Sequence, residues 1–186
     1  MIVIGITGTI GAGKGTIVEN LIKERGFQHY SVRAFLIEEI KKRKMPINRD
    51  SMVIVANDLR AKNSPSFVTD QLYFKAKETG KNCVIESIRT PGEITSLRKK
   101  DNFYLLAVDA KTENRYERIK LRKSETDMIS FETFKENETR EMTSKDPNKQ
   151  NLRKCIEMAD FVLSNDGSIK ELYENLEKVL KEIEKK

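Results

Sequence analysis

No apolar run in this sequence approaches the roughly 18–20 residues that span a bilayer. The longest, Met1–Ile4 and Phe103–Val108, fall far short, and the first lysine comes only at Lys14, inside a glycine run. A membrane span and a secretory signal are therefore not expected. Cysteine is scarce too: Cys83 and Cys155 stand far apart, with neither CxxC nor Cys/His ligand spacing. That excludes a disulfide framework and a structural zinc site, and it points to a reducing cytoplasm. There is no internal repeat. The four prolines, Pro46, Pro65, Pro91 and Pro147, fall at joints between patterned segments, as a residue that breaks helix interiors and central strands should. What is present is a globular composition, 38% hydrophobic and 34% charged over 186 residues, a length that suits one α/β domain.

Lysine plus arginine outnumber aspartate plus glutamate by 35 to 29, a net charge of +6. Such an excess serves a nucleic-acid surface, a membrane-facing patch or a pocket for a phosphorylated small molecule. Locally it concentrates in Arg33–Arg49, where Arg33, Lys41, Lys42, Arg43, Lys44 and Arg49 face only Glu38 and Glu39. The plain reading of that run is a solvated helix face. Neither a membrane nor a nucleic acid is the expected partner.

Short apolar runs alternate with helical patterns. Ile2–Thr7, Val84–Ser87, Tyr104–Asp109 and Phe161–Ser164 read as strands covered on both faces, with Gln28–Ser31 a weaker fifth. Lys14–Arg25 and Asp50–Lys62 carry apolar stripes at helical spacing, Thr112–Lys123 and Phe131–Met142 read as charged helices, and Ser168–Lys185 repeats apolar residues every three or four. Alternating strands and helices imply a parallel sheet, with ligands beyond the carboxyl ends of its strands.

After the first strand comes Gly8-Thr9-Ile10-Gly11-Ala12-Gly13-Lys14-Gly15-Thr16, followed by an amphipathic helix. This is a P-loop in its strand-loop-helix setting: backbone N–H groups form an anion nest, the helix N-terminus adds partial positive charge, and Lys14 can reach the β- and γ-phosphates. In the strict pattern a hydroxyl that binds Mg²⁺ follows the lysine. Gly15 stands there, with Thr16 one residue later.

The GxxGxGKGT form resembles nucleoside monophosphate kinases such as adenylate kinase, and Ile4–Thr16 also resembles dephospho-CoA kinase. The resemblance implies a P-loop NTPase fold, a five-stranded parallel sheet flanked by helices, with ATP as donor and Mg²⁺ held largely through water. Gly11, Ala12, Gly13, Lys14, Gly15 and Thr16 would bind the donor. Glu86 of Glu86-Ser87-Ile88-Arg89 matches an aspartate that organises the metal's waters, so Thr16 and Glu86 become the metal residues. Arg89 matches an arginine that holds the acceptor's phosphate. Arg118 and Arg122, four apart and so on one helix face, resemble lid arginines on the transferring phosphoryl, and Arg140 resembles the second lid arginine. The ending Ala159-Asp160-Phe161-Val162-Leu163-Ser164-Asn165-Asp166-Gly167 resembles the last strand and glycine turn of dephospho-CoA kinase, which places Asn165 and Gly167 beside the donor base. The pattern is also similar to the kinase-like domain of some deoxycytidylate deaminases, but the zinc signature HxE with PCxxC is absent, which excludes deamination.

Kinases that phosphorylate a neutral hydroxyl need a base, and in the dephospho-CoA and shikimate kinases an aspartate after the second strand serves. Here the segment reads His29-Tyr30-Ser31-Val32-Arg33, without one. A phosphate acceptor needs only positive groups, and Ser31, Arg33, Arg60 and Arg89 are the candidates to hold it. The expectation is one kinase domain over residues 1–186, with an acceptor-binding region at 33–80 and a lid at 112–147. It would phosphorylate a nucleoside or deoxynucleoside monophosphate. The alternatives are phosphorylation of a hydroxyl and a non-catalytic ATP-binding regulatory module.

Overall fold

The computed structural model describes residues 1–122 and 129–185. Its strands are β1 (Val3–Gly8), β2 (Gln28–Ser31), β3 (Cys83–Glu86), β4 (Phe103–Asp109) and β5 (Phe161–Ser164), all parallel, in the order β2-β3-β1-β4-β5. Side chains alternate across the sheet, and both sides are covered. Val3, Cys83, Ile85 and Leu105 enter one core, and Ile4, Ile6, Val84, Leu106 and Val108 enter the other. Burial on both faces explains why these strands carry so little polar alternation.

The helices are α1 (Lys14–Arg25), α2 (Val32–Lys42), α3 (Arg49–Lys62), α4 (Phe67–Thr79), α5 (Pro91–Leu97), α6 (Thr112–Arg122), α7 (Phe131–Met142), α8 (Leu152–Glu157) and α9 (Ile169–Ile183). α1 and α9 cover one face of the sheet. α9 is opened by a capping box between Ser168 and Glu171 and buries Leu172, Leu176, Val179, Leu180 and Ile183. The other face carries α2, α3, α4 and α5. The pattern did not mark α4, α5 or α8, while α2 lies in the basic run that reads as a solvated helix face. α2 buries Val32, Leu36 and Ile40 at four-residue spacing and leaves Arg33, Lys41 and Lys42 exposed, so the charges that dominate the sequence there are its solvated side. Lys123, the expected end of the sixth helix, and positions 123–128 of the expected lid lie outside the described residues.

A third apolar cluster joins Ile10 of the glycine loop to Ile119 of α6 and Phe134 of α7, with Tyr116, Ile129 and Phe131 around it. Tyr116 and Phe131 meet edge-on, centroids 5.0 Å apart. α7 is thereby docked beside the loop through α6. Among the described residues no helix is long and apolar enough to cross a membrane.

Candidate active site

The loop between β1 and α1 is built on backbone that only glycine adopts easily. Gly13 has φ +102°, and a Cβ there would lie 2.1 Å from Asn165 Nδ2, which donates to the Ala12 carbonyl at 2.8 Å. At Gly8, φ +137°, a Cβ would meet the Val108 carbonyl oxygen at 2.0 Å. Bare backbone at these positions lets the loop lie tightly on β4 and on the turn after β5. Gly13 also begins α1 and has no side chain to cap it, so the helix N-terminus faces the cavity with its amides. Behind the loop Thr9 Oγ1 donates to Asp109 at 2.6 Å, and Arg115 Nη1 donates to the Ile10 carbonyl at 3.3 Å. Arg115 also pairs with Glu138 of α7 and donates to the Ala110 carbonyl at 2.7 Å and to Thr112 Oγ1 at 3.0 Å.

Lys14 folds back on the loop and donates to the Gly8 and Thr9 carbonyls at 2.8 and 2.7 Å. Burial, helped by the positive charge of Arg89, pushes its ammonium down to about 7, against the opposing pull of Glu141 and Glu86. At the tip of β3, Glu86 accepts from Ser31 Oγ at 2.8 Å and lies 3.5 Å from His29 Nε2. Burial works against its charge, but the bonds from His29 and Ser31 and the charges of His29 and Lys14 prevail and hold the carboxyl below its ordinary value.

A cavity of about 660 Å³ opens over the loop. Gly11, Gly13, Lys14, Gly15, Thr16, Glu86, Arg89, Arg118, Arg122, Asn165 and Gly167 line it. A smaller cavity of about 80 Å³ adjoins it, with an apolar wall of Val32, Leu36, Met52, Val53 and Ala56 and with Arg60 and Glu141 on its side. Arg33, Arg49, Ser87 and Arg89 belong to both walls. Of the residues singled out from sequence, three face elsewhere. Ala12 turns its methyl into the core, Ser31 caps α2 through the Ala34 amide, and Arg140 pairs with Asp50 at 3.1 Å on the exposed side of α7. Arg118 donates to the Asn165 carbonyl at 2.7 Å, and its Nη1 is buried without a partner among the described residues.

Two residues of this site escaped the sequence reading as site residues. Arg49 was visible only as one charge in a basic run, and Glu141 had no signal beyond standing next to Arg140. Both enter because α3 and α7 converge on Arg89: Glu141 accepts from Arg49 Nη2 at 2.6 Å and from Arg89 Nη1.

A family model described as an AAA domain matches residues 4–144. The chain is 30% identical to a UPF0200 protein of Methanococcus vannielii, covering 98% of this chain and 97% of that one. It is also 30% identical to a UPF0200/UPF0201 protein of Archaeoglobus fulgidus, which it matches over its whole length while spanning 57% of that protein. Among solved structures it is similar to TT1252 from Thermus thermophilus, with TM-score 0.65, 22% identity and 97% of each chain covered. Shikimate kinase from Aquifex aeolicus follows at TM-score 0.54 and 13% identity, with 97% of this chain and 96% of that one covered. Dephospho-CoA kinase from Campylobacter jejuni stands at 0.50 and 18%, also with 97% and 96% covered. At such identities these structures show the fold, which is the P-loop NTPase fold in a kinase-like form. The chain belongs to the AAA domain family and to the UPF0200 proteins.

Proposed function

We propose that this member of the UPF0200 proteins is an ATP-dependent phosphotransferase whose acceptor already carries a phosphate, a nucleoside or deoxynucleoside monophosphate. The observation that carries the reading is the pair of adjoining cavities, which share Arg33, Arg49, Ser87 and Arg89. One is floored by an anion nest, and the other combines an apolar wall with guanidinium groups, a combination suited to a flat apolar ring bearing an anion. Bringing two phosphates together is opposed by their charge, and fixed cations on the shared wall lower that cost in the transition state more than in the ground state.

Lys14 and the loop amides hold the donor's terminal phosphates. Arg118 and Arg122 neutralise charge on the moving group, and Asn165 and Gly167 border the donor side. Arg33, Arg60 and Arg89 hold the acceptor, with Ser31 acting through Glu86. Residues 33–80 form the acceptor side. Residues 112–147 close as a lid, and Arg140 reaches the reacting groups only if that region moves, because it now pairs with Asp50. The wall of the larger cavity fits a hard cation: among the described residues it offers oxygen donors such as Thr16, Glu19 and Glu86 and no cysteine or histidine. Magnesium bound there supplies charge neutralisation on the phosphates, and Thr16 and Glu86 are the residues that would hold it, through water. Glu86, kept ionised by Ser31 and His29, suits that task.

A panel of nucleoside monophosphates, deoxynucleoside monophosphates and dephospho-CoA, incubated with ATP and magnesium and followed by phosphorus NMR, tests the reading. Transfer to at least one monophosphate is expected, and Arg89→Ala should raise KM for that acceptor far more than for ATP. Transfer to dephospho-CoA alone would overturn the acceptor class. ATP binding without transfer to any acceptor would overturn the kinase reading in favour of a regulatory module.

A further inference from the structure

Glu141 is the one acid among the described residues on the wall of the smaller cavity, and its side chain is 3% exposed. It belongs to α7, yet its carboxylate lies between arginines of two other elements. Oε1 accepts from Arg49 Nε at 3.1 Å and Nη2 at 2.6 Å, and Oε2 accepts from Arg89 Nη1. Gln150 Oε1 takes a second bond from the same Arg89 nitrogen at 2.8 Å. Two guanidinium groups gripping two oxygens of one anion is the arrangement that a phosphoryl group accepts. Arg60, also on this wall, is 1% exposed and pairs through Nη2 with Glu93 at 3.0 Å, its Nε and Nη1 being buried without partners among the described residues.

We infer that Glu141 is a built-in occupant of the acceptor's anion subsite, which an acceptor must displace, and that it thereby sets the requirement for an anionic acceptor. The inference rests on the reading of Arg89 and its neighbours as the acceptor side. An uncharged acceptor that removed Glu141 would leave Arg49 and Arg89 facing each other uncompensated, whereas a phosphate dianion replaces one negative charge with about two. Because Glu141 sits on α7, the same displacement removes one of that helix's ties to α3 and leaves the exposed Arg140–Asp50 pair as another. Acceptor entry and the seating of α7 are then coupled through one carboxylate.

The test is calorimetric titration with inorganic phosphate while a non-hydrolysable ATP analogue fills the P-loop. Glu141→Gln should bind phosphate about tenfold or more tightly than the unaltered chain, and Glu141→Asp, charged but one methylene shorter, should fall between. Glu177→Gln removes a carboxylate paired with the distant Arg25 and should change nothing. Unchanged or weaker phosphate binding in Glu141→Gln overturns the inference, as does an equal gain in Glu177→Gln. If Glu141→Gln does not fold, the Glu141→Asp affinity decides on the same terms. Tighter phosphate binding in a chain that transfers to no monophosphate keeps the displacement and discards the kinase reading. Transfer with unaltered phosphate affinity does the reverse.

Discussion

Nucleotide binding should draw a proton onto Lys14. Without a ligand its ammonium donates to the Gly8 and Thr9 carbonyls, and burial with the charge of Arg89 brings it to about 7. At pH 8 about one lysine in ten is then charged. A phosphate anion in the nest stabilises the ammonium directly and returns it toward 10.5, so close to all of it is charged in the complex. The difference is an uptake of about 0.9 proton per nucleotide, by linkage of binding to protonation. The sign follows from the ligand preferring the protonated form: affinity is greatest below pH 7 and falls about tenfold per pH unit above pH 8, until the complex itself deprotonates. Titration calorimetry with ATP and magnesium at pH 8, in Tris and in Hepes, reads the uptake as the slope of observed enthalpy against buffer ionisation enthalpy. Lys14→Met should abolish the slope. In turnover the same variant should lose about 3–4 kcal/mol of transition-state stabilisation, typical of one electrostatic contact in a desolvated site. A slope near zero in the unaltered chain, or an undiminished slope in Lys14→Met, would refute the argument.

Gly13→Ala places its Cβ 2.1 Å from Asn165 Nδ2 at φ +102° and should cost about 1–3 kcal/mol in urea unfolding, whereas Gly15→Ala meets open space and should leave the midpoint unchanged or slightly raised. Glu93→Ala strips Arg60 of its carboxylate in a pair that is 1% and 0% exposed, and the uncompensated charge should lower stability by about 3–5 kcal/mol in the same assay. Burial pushes the Cys83 thiol up to about 11 and Cys155 higher still, so neither should react with a disulfide reagent at pH 8 until urea unfolds the chain. Rapid labelling of the native protein would show that one of these strands or helices opens readily.

The sequence by itself determined whatever depends on near neighbours in the chain. The glycines that allow positive φ, the lysine that follows them, apolar runs that demand a sheet covered on both faces, and the three-four spacing of α9 are all local chemistry, and β1, α1, α7 and β5 stand where that chemistry put them, to within a residue. Glu86 and Arg89, singled out by the family resemblance, line the cavity because they follow β3, at the end of a parallel sheet where ligand groups are presented. Only the tertiary structure decided which charges meet. Arg49, Arg89 and Glu141 are 40 and 52 residues apart along the chain and share one contact because α3, the turn after β3 and α7 converge. Arg115, Arg118 and Arg140 all fall in segments that read as charged helices, yet the first is buried beneath the glycine loop, the second faces the cavity and the third reaches outward to Asp50. A helix face is chosen by the surface it packs against, and for these helices that surface lies elsewhere in the chain.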